Sequence, residues 1–141
     1  KKIEHPALVI IQCDSLHLPF ENNSIDVITI GFGIRNFEFM EKCLDEINRV
    51  LKKNGQLIII EMFSNNDIKT KLFNFYFGKV MPVVGNLISG SKYAYSYLYK
   101  SVSNFYSVTD FVSITEKHNF KNFKIKNNFL GVVNTVYLSK K

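Results

Sequence analysis

Ile25-Asp26-Val27-Ile28-Thr29-Ile30-Gly31-Phe32-Gly33-Ile34-Arg35-Asn36 sets the fold class. Its first half is a short β-branched run, the composition of a strand. Its second half is a glycine-punctuated loop. Downstream, Phe39, Met40, Cys43, Leu44, Ile47, Val50 and Leu51 recur at three- and four-residue steps, which is one face of an amphipathic helix. Asp45 and Arg49 fall four apart on its polar side. Lys52-Lys53-Asn54-Gly55 predicts the helix end: cations in the last turn, then Asn and Gly for a left-handed cap. Leu57 to Ile60 is a further apolar strand, ending at Glu61. Strand, helix and strand joined by short connections predict a parallel βαβ unit in an α/β sheet.

Working outward, Ala7 to Cys13 is a nearly continuous apolar run, expected to be a strand buried on both faces, and it ends in Asp14-Ser15. Leu18-Pro19-Phe20 and Glu21 to Ser24 read as a loop. On the other side, Asp67 to Tyr106 is aromatic-rich and predicted to be mostly helical, broken near Pro82 and at Gly90. Thr109 or Asp110 caps a helix running to about His118, and Lys121 to Lys126 and Leu130 to Leu138 read as closing strands. No repeat, linker or boundary divides residues 1–141, so one domain is expected.

Hydrophobic residues at 46% and charged residues at 21% predict a packed core rather than disorder. The net charge of +6 comes almost wholly from Lys; only Arg35 and Arg49 are arginines. Such a surface is either plain solvation or a means of attracting nucleic acid or anionic lipid headgroups. Phe120, Lys121, Phe123, Lys124 and Lys126 interleave as on a nucleic-acid surface, but a strand with one buried aromatic face explains them as well, and no nucleic-acid partner is expected. Cys13 and Cys43 sit in apolar patterns and are expected to be buried free thiols; no disulfide framework and no metal-ligand spacing is present. The beginning at Lys1 is abrupt and has no apolar signal core. The most apolar stretch, Leu72 to Ile88, contains Lys79, Pro82 and Gly85, and does not read as a membrane span.

In open α/β sheets ligands bind outside the carboxyl ends of the strands. Three such ends carry polar groups or glycines: Asp14-Ser15, Gly31 to Asn36, and Glu61 to Asn65. They are expected side by side at one rim. Asp14 can accept a hydrogen bond from an exocyclic amine such as adenine's, or it can simply cap a turn. Gly31 and Gly33 permit positive φ and a close ligand approach. Arg35 is either an ion-pair partner of Glu38 or Glu41, or a cation at the rim. Arginine is no base at neutral pH, but it can hold an oxyanion or activate a water. His5, His17 and His118 read as surface histidines.

The run from Asp14-Ser15 through Leu18-Pro19-Phe20, Asn23-Ser24, Asp26 and Thr29-Ile30 to Gly31-Phe32-Gly33-Ile34-Arg35-Asn36 resembles the UbiE/COQ5/MenG family of ubiquinone and menaquinone C-methyltransferases. The likeness continues in Glu46, Arg49-Val50-Leu51-Lys52 and Asn54-Gly55; in Phe75-Tyr76, Val80-Met81-Pro82 and Gly85; and in Tyr95, Tyr97-Leu98, Ser101 and Gly131-Val132-Val133. The resemblance implies a Rossmann-like class I methyltransferase fold, a mostly parallel sheet with helices on both faces, of which this chain is the C-terminal portion. It implies S-adenosylmethionine as cofactor, with Asp14 and Ser15 at the adenine and Gly31 beside the cofactor. It implies a polyprenylated benzoquinol or naphthoquinol as acceptor. Arg35 is then the catalytic residue that assists ring deprotonation. Phe32, Asn36, Tyr76 and Tyr97 are then substrate-binding, within an aromatic segment from Phe73 to Tyr99 that lines the acceptor pocket and faces the membrane.

The implied partners are the quinol, a peripheral membrane surface, and a quinone-synthesis complex or a homodimer. The implied location is the matrix side of the mitochondrial inner membrane, or the cytoplasmic face of a bacterial membrane. The alternatives are a catalytically degenerate scaffold and a methyltransferase for another lipid. Three departures from the family pattern stand out: Lys53-Asn54-Gly55 replaces Pro-Gly-Gly, Glu61-Met62-Phe63-Ser64 is one residue longer than Glu-Phe-Ser, and the usual C-terminal histidine is replaced around Val136. The family's glycine-rich cofactor loop and ribose-binding acid belong upstream of Lys1.

Overall fold

The structure, a computed structural model, describes residues 8–64, 76, 92–128 and 132–141, with side chains of the helix at 92–103 described from Tyr97 onward. Of the helical region expected from Asp67 to Tyr106, residues 67–91 apart from Tyr76, with the motif residues among them, lie outside the described residues, as does Gly131.

The elements are β1 (Ile25–Gly31), a 3-10 turn (Ile34–Asn36), α1 (Met40–Val50), β2 (Leu51–Met62), α2 (Lys92–Ser103), α3 (Val108–Lys117), β3 (Phe120–Asn128) and β4 (Val133–Lys140). β1 and β2 pair in parallel across α1, so the predicted βαβ unit is present. The sheet order is β1-β2-β4-β3, with β4 antiparallel to both neighbours. The described sheet is therefore mixed: only four residues separate β3 from β4, far too few for the crossover that parallel strands need.

Leu57 and Ile59 of β2 pair with Leu138 and Val136 of β4. These four are fully buried with Met40, Leu44 and Ile47 of α1 and Phe111 of α3. The core thus lies on one face of the sheet; Val27 and Ile60 on the other face are exposed.

The run ending at Cys13 is not a strand. Leu8 to Cys13 pair with no described strand, and Val9 and Ile10 are 76% and 85% exposed. A doubly wound sheet accounts for this, because in the order 3-2-1-4 two other strands separate the third strand from the fourth. Cys13 is accordingly an exposed thiol, whereas Cys43 is buried as expected.

The end of α1 also differs from the expectation. The helix stops at Val50, and Leu51 is already extended. Lys52 to Gly55 instead form an irregularity inside β2: the partner of Ile25 is Leu51, but that of Val27 is Gln56. Asn54 does take the left-handed conformation (φ 61°). Gly55 is fixed by space, since a Cβ there would lie 2.8 Å from the Lys52 carbonyl oxygen. The C-terminal carbonyls of α1 are served from across the fold, where Lys140 Nζ donates to the oxygens of Asn48 (2.6 Å) and Leu51 (2.9 Å).

On the polar side of α1, Arg49 pairs with Glu46 rather than Asp45. Nε donates to Glu46 Oε2 and Nη2 to Oε1, both at 2.8 Å. The same guanidinium donates to the carbonyls of Phe20 (2.9 Å) and Leu18 (3.1 Å), while Leu18 N–H donates to Glu46 Oε1 at 2.7 Å. The loop at 18–22 is thereby fastened to α1. Asp45 is engaged by His118, which is largely buried between Asp45 (2.5 Å) and Glu41 (3.4 Å) rather than lying free on the surface. The helix ending there is capped by Ser107, two residues before Thr109 and three before Asp110, the expected caps. Ser107 Oγ accepts from Asp110 N–H (3.1 Å) and donates to the Asp110 carboxylate (2.7 Å), a reciprocal cap.

Candidate active site

The loop after β1 is built to project Arg35 over the end of β2. Gly31 closes the strand in open space, where an added Cβ would meet nothing within 4 Å. Positive φ falls not on the glycines but on Phe32 (φ 52°), whose N–H donates to Ile60 O at 2.9 Å and whose ring is about half exposed. A non-glycine residue in this region is strained. Gly33 then opens the 3-10 turn by accepting from Asn36 N–H at 3.0 Å, and Ile34 buries itself as the anchor.

Arg35 meets neither Glu38 nor Glu41; it is paired with Glu61. Nη1 donates to Glu61 Oε1 at 2.5 Å, and the two side chains are 10% and 0% exposed. Nη1 also donates to Phe32 O (3.1 Å) and Nε to Ser101 Oγ (3.3 Å). Glu61 Oε1 further accepts from Met62 N–H at 2.8 Å. A buried carboxylate needs this much compensation, because an unpaired charge there is strongly unfavourable.

One helical turn along α2 from Ser101, Tyr97 donates its hydroxyl hydrogen to Asn36 Oδ1 at 2.7 Å. Two expected substrate-binding residues, Asn36 and Tyr97, are thus brought together. Positions 97 and 101 share a face of α2, so that face buttresses the Arg35–Asn36 loop. Tyr76 is half exposed.

Asp14 and Ser15 line a cleft of about 230 Å³ with Leu16, Glu38, Phe39 and Cys43. Asp14 Oδ1 accepts from Leu16 N–H at 2.9 Å, so the turn-cap role is real, while Oδ2 lies 3.9 Å from His17 Nδ1. Ser15 Oγ is 3.2 Å from Cys43 Sγ. Phe39, expected on the buried face of α1, precedes its first turn and stands half exposed, with Lys42 Nζ 5.1 Å from the ring centroid. A second hollow, about 490 Å³, adjoins Arg35 and is walled by Phe37, Met40 and the link from Asn104 to Tyr106. Glu38 and Phe39 line both spaces. The smaller cleft offers an acid edge at Asp14 and an aromatic wall at Phe39, which suit the adenine of a nucleoside cofactor; Gly31, open at the end of β1, lines neither hollow.

Sequence reasoning named Glu61 as a polar strand end but missed its role as the partner of Arg35. The available signal was an acid terminating an otherwise apolar buried strand. Ser101 was noted only as part of the family pattern. Glu46 is held at about 2, well below the ordinary 4.5, chiefly by the hydrogen bonds from Arg49, against the opposing effect of burial, with help from Leu18 N–H. Arg49 is correspondingly raised.

The model of the ubiE/COQ5 methyltransferase family matches residues 2–140. The chain belongs to the ubiE/COQ5 methyltransferase family. As a family member it is 39% identical over 121 residues to a protein of Ruegeria sp. named ubiquinone/menaquinone biosynthesis C-methyltransferase UbiE, covering 84% of this chain and 48% of the relative. It is 36% identical to the mitochondrial 2-methoxy-6-polyprenyl-1,4-benzoquinol methylase of Mus musculus, covering 85% of this chain and 37% of that one. It is 39% identical to the demethylmenaquinone methyltransferase of Thermotoga maritima, covering 77% and 48%. The chain therefore spans about half or less of the length of these relatives.

Among solved structures, it resembles a SAM-dependent methyltransferase of Thermotoga maritima (TM-score 0.68, 18% identity, 95% of this chain and 65% of that one). It also resembles one from Aquifex aeolicus (TM-score 0.61, 17% identity, 93% and 54%). The Rossmann-like class I methyltransferase fold expected from the sequence is borne out, and this family and fold imply S-adenosylmethionine as the cofactor.

Proposed function

We propose that the protein containing this chain transfers a methyl group from S-adenosylmethionine to a ring carbon of a polyprenylated benzoquinol in ubiquinone biosynthesis. The observation that carries the reading is Arg35: a guanidinium fixed by a buried acid beside a glycine loop, in the wall of the larger hollow. When bound, the cofactor supplies an electrophilic methyl on sulfonium. Asp14 and Ser15 hold the adenine edge, Asp14 accepting through its outward oxygen. Gly31 leaves room for the cofactor to approach the strand end. Arg35 donates hydrogen bonds to the phenolic oxygen and so stabilises the phenolate, the form whose ring carbon is electron-rich enough to attack; it also orders a water that takes up the displaced ring proton. Phe32, Asn36, Tyr76 and Tyr97 shape the acceptor side.

A naphthoquinol acceptor is the second reading, favoured by relatives named demethylmenaquinone methyltransferase at the same level of identity. The mitochondrial relatives support a place at the matrix side of the inner membrane, the bacterial ones a cytoplasmic membrane surface. No helix among the described residues is long and apolar enough to cross a membrane. In this reading the quinol tail is met at a peripheral membrane surface, by a homodimer or within a quinone-synthesis complex. The chain itself serves as the C-terminal part of one domain.

The test is methyl transfer by the full-length protein from labelled cofactor to short-tailed demethyl benzoquinol and demethyl naphthoquinol. Preferential labelling of the benzoquinol, abolished by Arg35→Ala, is expected. Preference for the naphthoquinol selects the second reading. Absence of cofactor binding by calorimetry overturns both and leaves a scaffold.

A further inference from the structure

Glu61 is the most deeply buried charge in the described structure, and the proposed chemistry does not use it directly. It is the last residue but one of β2, where the parallel neighbour β1 has just ended: Gly31 is paired with Ile60, one residue before Glu61. Its carboxylate reaches back across that junction to Arg35 Nη1 at 2.5 Å, with the Arg35 backbone N–H at 3.5 Å from the other oxygen. On the far side, Asn134 of β4 stands opposite Glu61 in register and is also buried, and Asn127 of β3 stands opposite Asn134. A polar row thus crosses the sheet beside the apolar pairs Leu57–Leu138 and Ile59–Val136 and ends at the guanidinium.

An arginine at an open rim has several rotamers and is free to swing into solvent. Here three elements remove that freedom: Glu61 from β2, Ser101 from α2, and the Phe32 carbonyl from its own loop. Glu61 is the only one of the three that is both charged and fully buried, so it supplies most of the restraint. It also neutralises the pair, so Arg35 meets a phenolic oxygen as an aimed hydrogen-bond donor without a free countercharge.

We infer that Glu61 is a positioning residue: it touches no reacting atom, and it sets the direction and charge balance of Arg35 for ring methylation. This rests on the reading of Arg35 given above.

The experiment compares the full-length protein with Glu61→Gln, Glu61→Asp, Arg35→Lys and the Arg35→Lys/Glu61→Gln double variant, below their melting temperatures. Expected for Glu61→Gln is a fall in kcat on the order of 10²-fold, with KM and the cofactor Kd nearly unchanged. Glu61→Asp keeps the charge and recovers part of the rate. The double variant is no slower than Arg35→Lys, because both changes act through one group. A kcat at the unaltered level in folded Glu61→Gln, or additive losses in the double variant, overturns the inference and leaves Glu61 a stability residue. If Glu61→Gln does not fold, Glu61→Asp decides by its kcat against the unaltered protein.

If the unaltered protein transfers no methyl group, the reading of function fails. The restraint itself is then judged by NMR of the Arg35 guanidinium Nη–H groups, one of which Glu61 holds, identified by their loss in Arg35→Lys. Slow solvent exchange that becomes fast in Glu61→Asp supports the restraint, and exchange already fast in the unaltered protein overturns it.

Discussion

Arg49 grips Glu46 through two parallel bonds of 2.8 Å and with the same head holds the carbonyls of Leu18 and Phe20. One guanidinium thus joins α1 to the loop that follows Asp14 and Ser15. This set of bonds fastens the loop that follows the proposed adenine-contacting pair.

The depressed Glu46 pKa has a pH consequence. A carboxyl with a native pKa below its unfolded value stabilises the fold above the unfolded pKa, and the contribution is lost as pH falls through the native one. For Glu46 the window runs from about 4.5 down to about 2. Thermal unfolding followed by circular dichroism between pH 6 and 2 is expected to show a melting temperature that declines across this range. Glu46→Gln should start lower at pH 6 and decline less steeply. Parallel curves for the two proteins would rule out this residue as the source.

Gly55 admits no side chain. Gly55→Ala places a Cβ against the Lys52 carbonyl and is expected to destabilise the protein by about 1–3 kcal/mol in urea denaturation. Asn54→Gly keeps the positive φ without strain and should be close to neutral. A neutral Gly55→Ala would mean that the irregularity in β2 relaxes freely.

Phe32 pits strain against use. Its φ of 52° predicts that Phe32→Gly leaves stability unchanged or raises it by about 1 kcal/mol. If the ring contacts the acceptor, the same variant raises KM for the quinol several-fold without altering the cofactor Kd. Unchanged KM would remove Phe32 from the acceptor site.

Asp14 spends one oxygen on the turn, accepting from Leu16 N–H, while the other makes no closer contact than His17 Nδ1 at 3.9 Å. Asp14→Asn retains an oxygen for Leu16 N–H but weakens acceptance from an amine. The cofactor Kd measured by calorimetry is expected to rise roughly tenfold, with little change in melting temperature. A large loss of stability with unchanged Kd would make Asp14 a turn cap alone.

What could be read in advance follows from how local each determinant is. The βαβ unit was legible because the periodicity of Met40 to Val50 and the apolar run at Leu57 to Ile60 are contained within their own segments. Ser107 was passed over because Thr109 and Asp110 are equally good caps by type, and only the bond to Asp110 N–H decides. The strand expected at Ala7 to Cys13 failed for a different reason: apolar content shows that a segment seeks cover, not where its neighbours are. Arg35 was located correctly at the rim, but its partner was sought within one helical turn, at Glu38 or Glu41. The true partner lies 26 residues away and meets Arg35 only because β1 and β2 run in parallel. Gly31 was legible as an open position, whereas the displacement of positive φ onto Phe32 depends on the bond to Ile60, which no local pattern encodes.

Glu38 and Phe39 belong to the walls of both hollows, whereas Asp14 and Ser15 border only the smaller and Asn104 to Tyr106 only the larger. A mutation in that shared partition is therefore pleiotropic: it reshapes both spaces at once. The walls that belong to the larger space alone, among them Phe37, Met40 and the link from Asn104 to Tyr106, can change without touching the smaller. The short link between α2 and α3 is thus one place where the larger hollow can be remodelled while the Asp14–Ser15 cleft stays fixed.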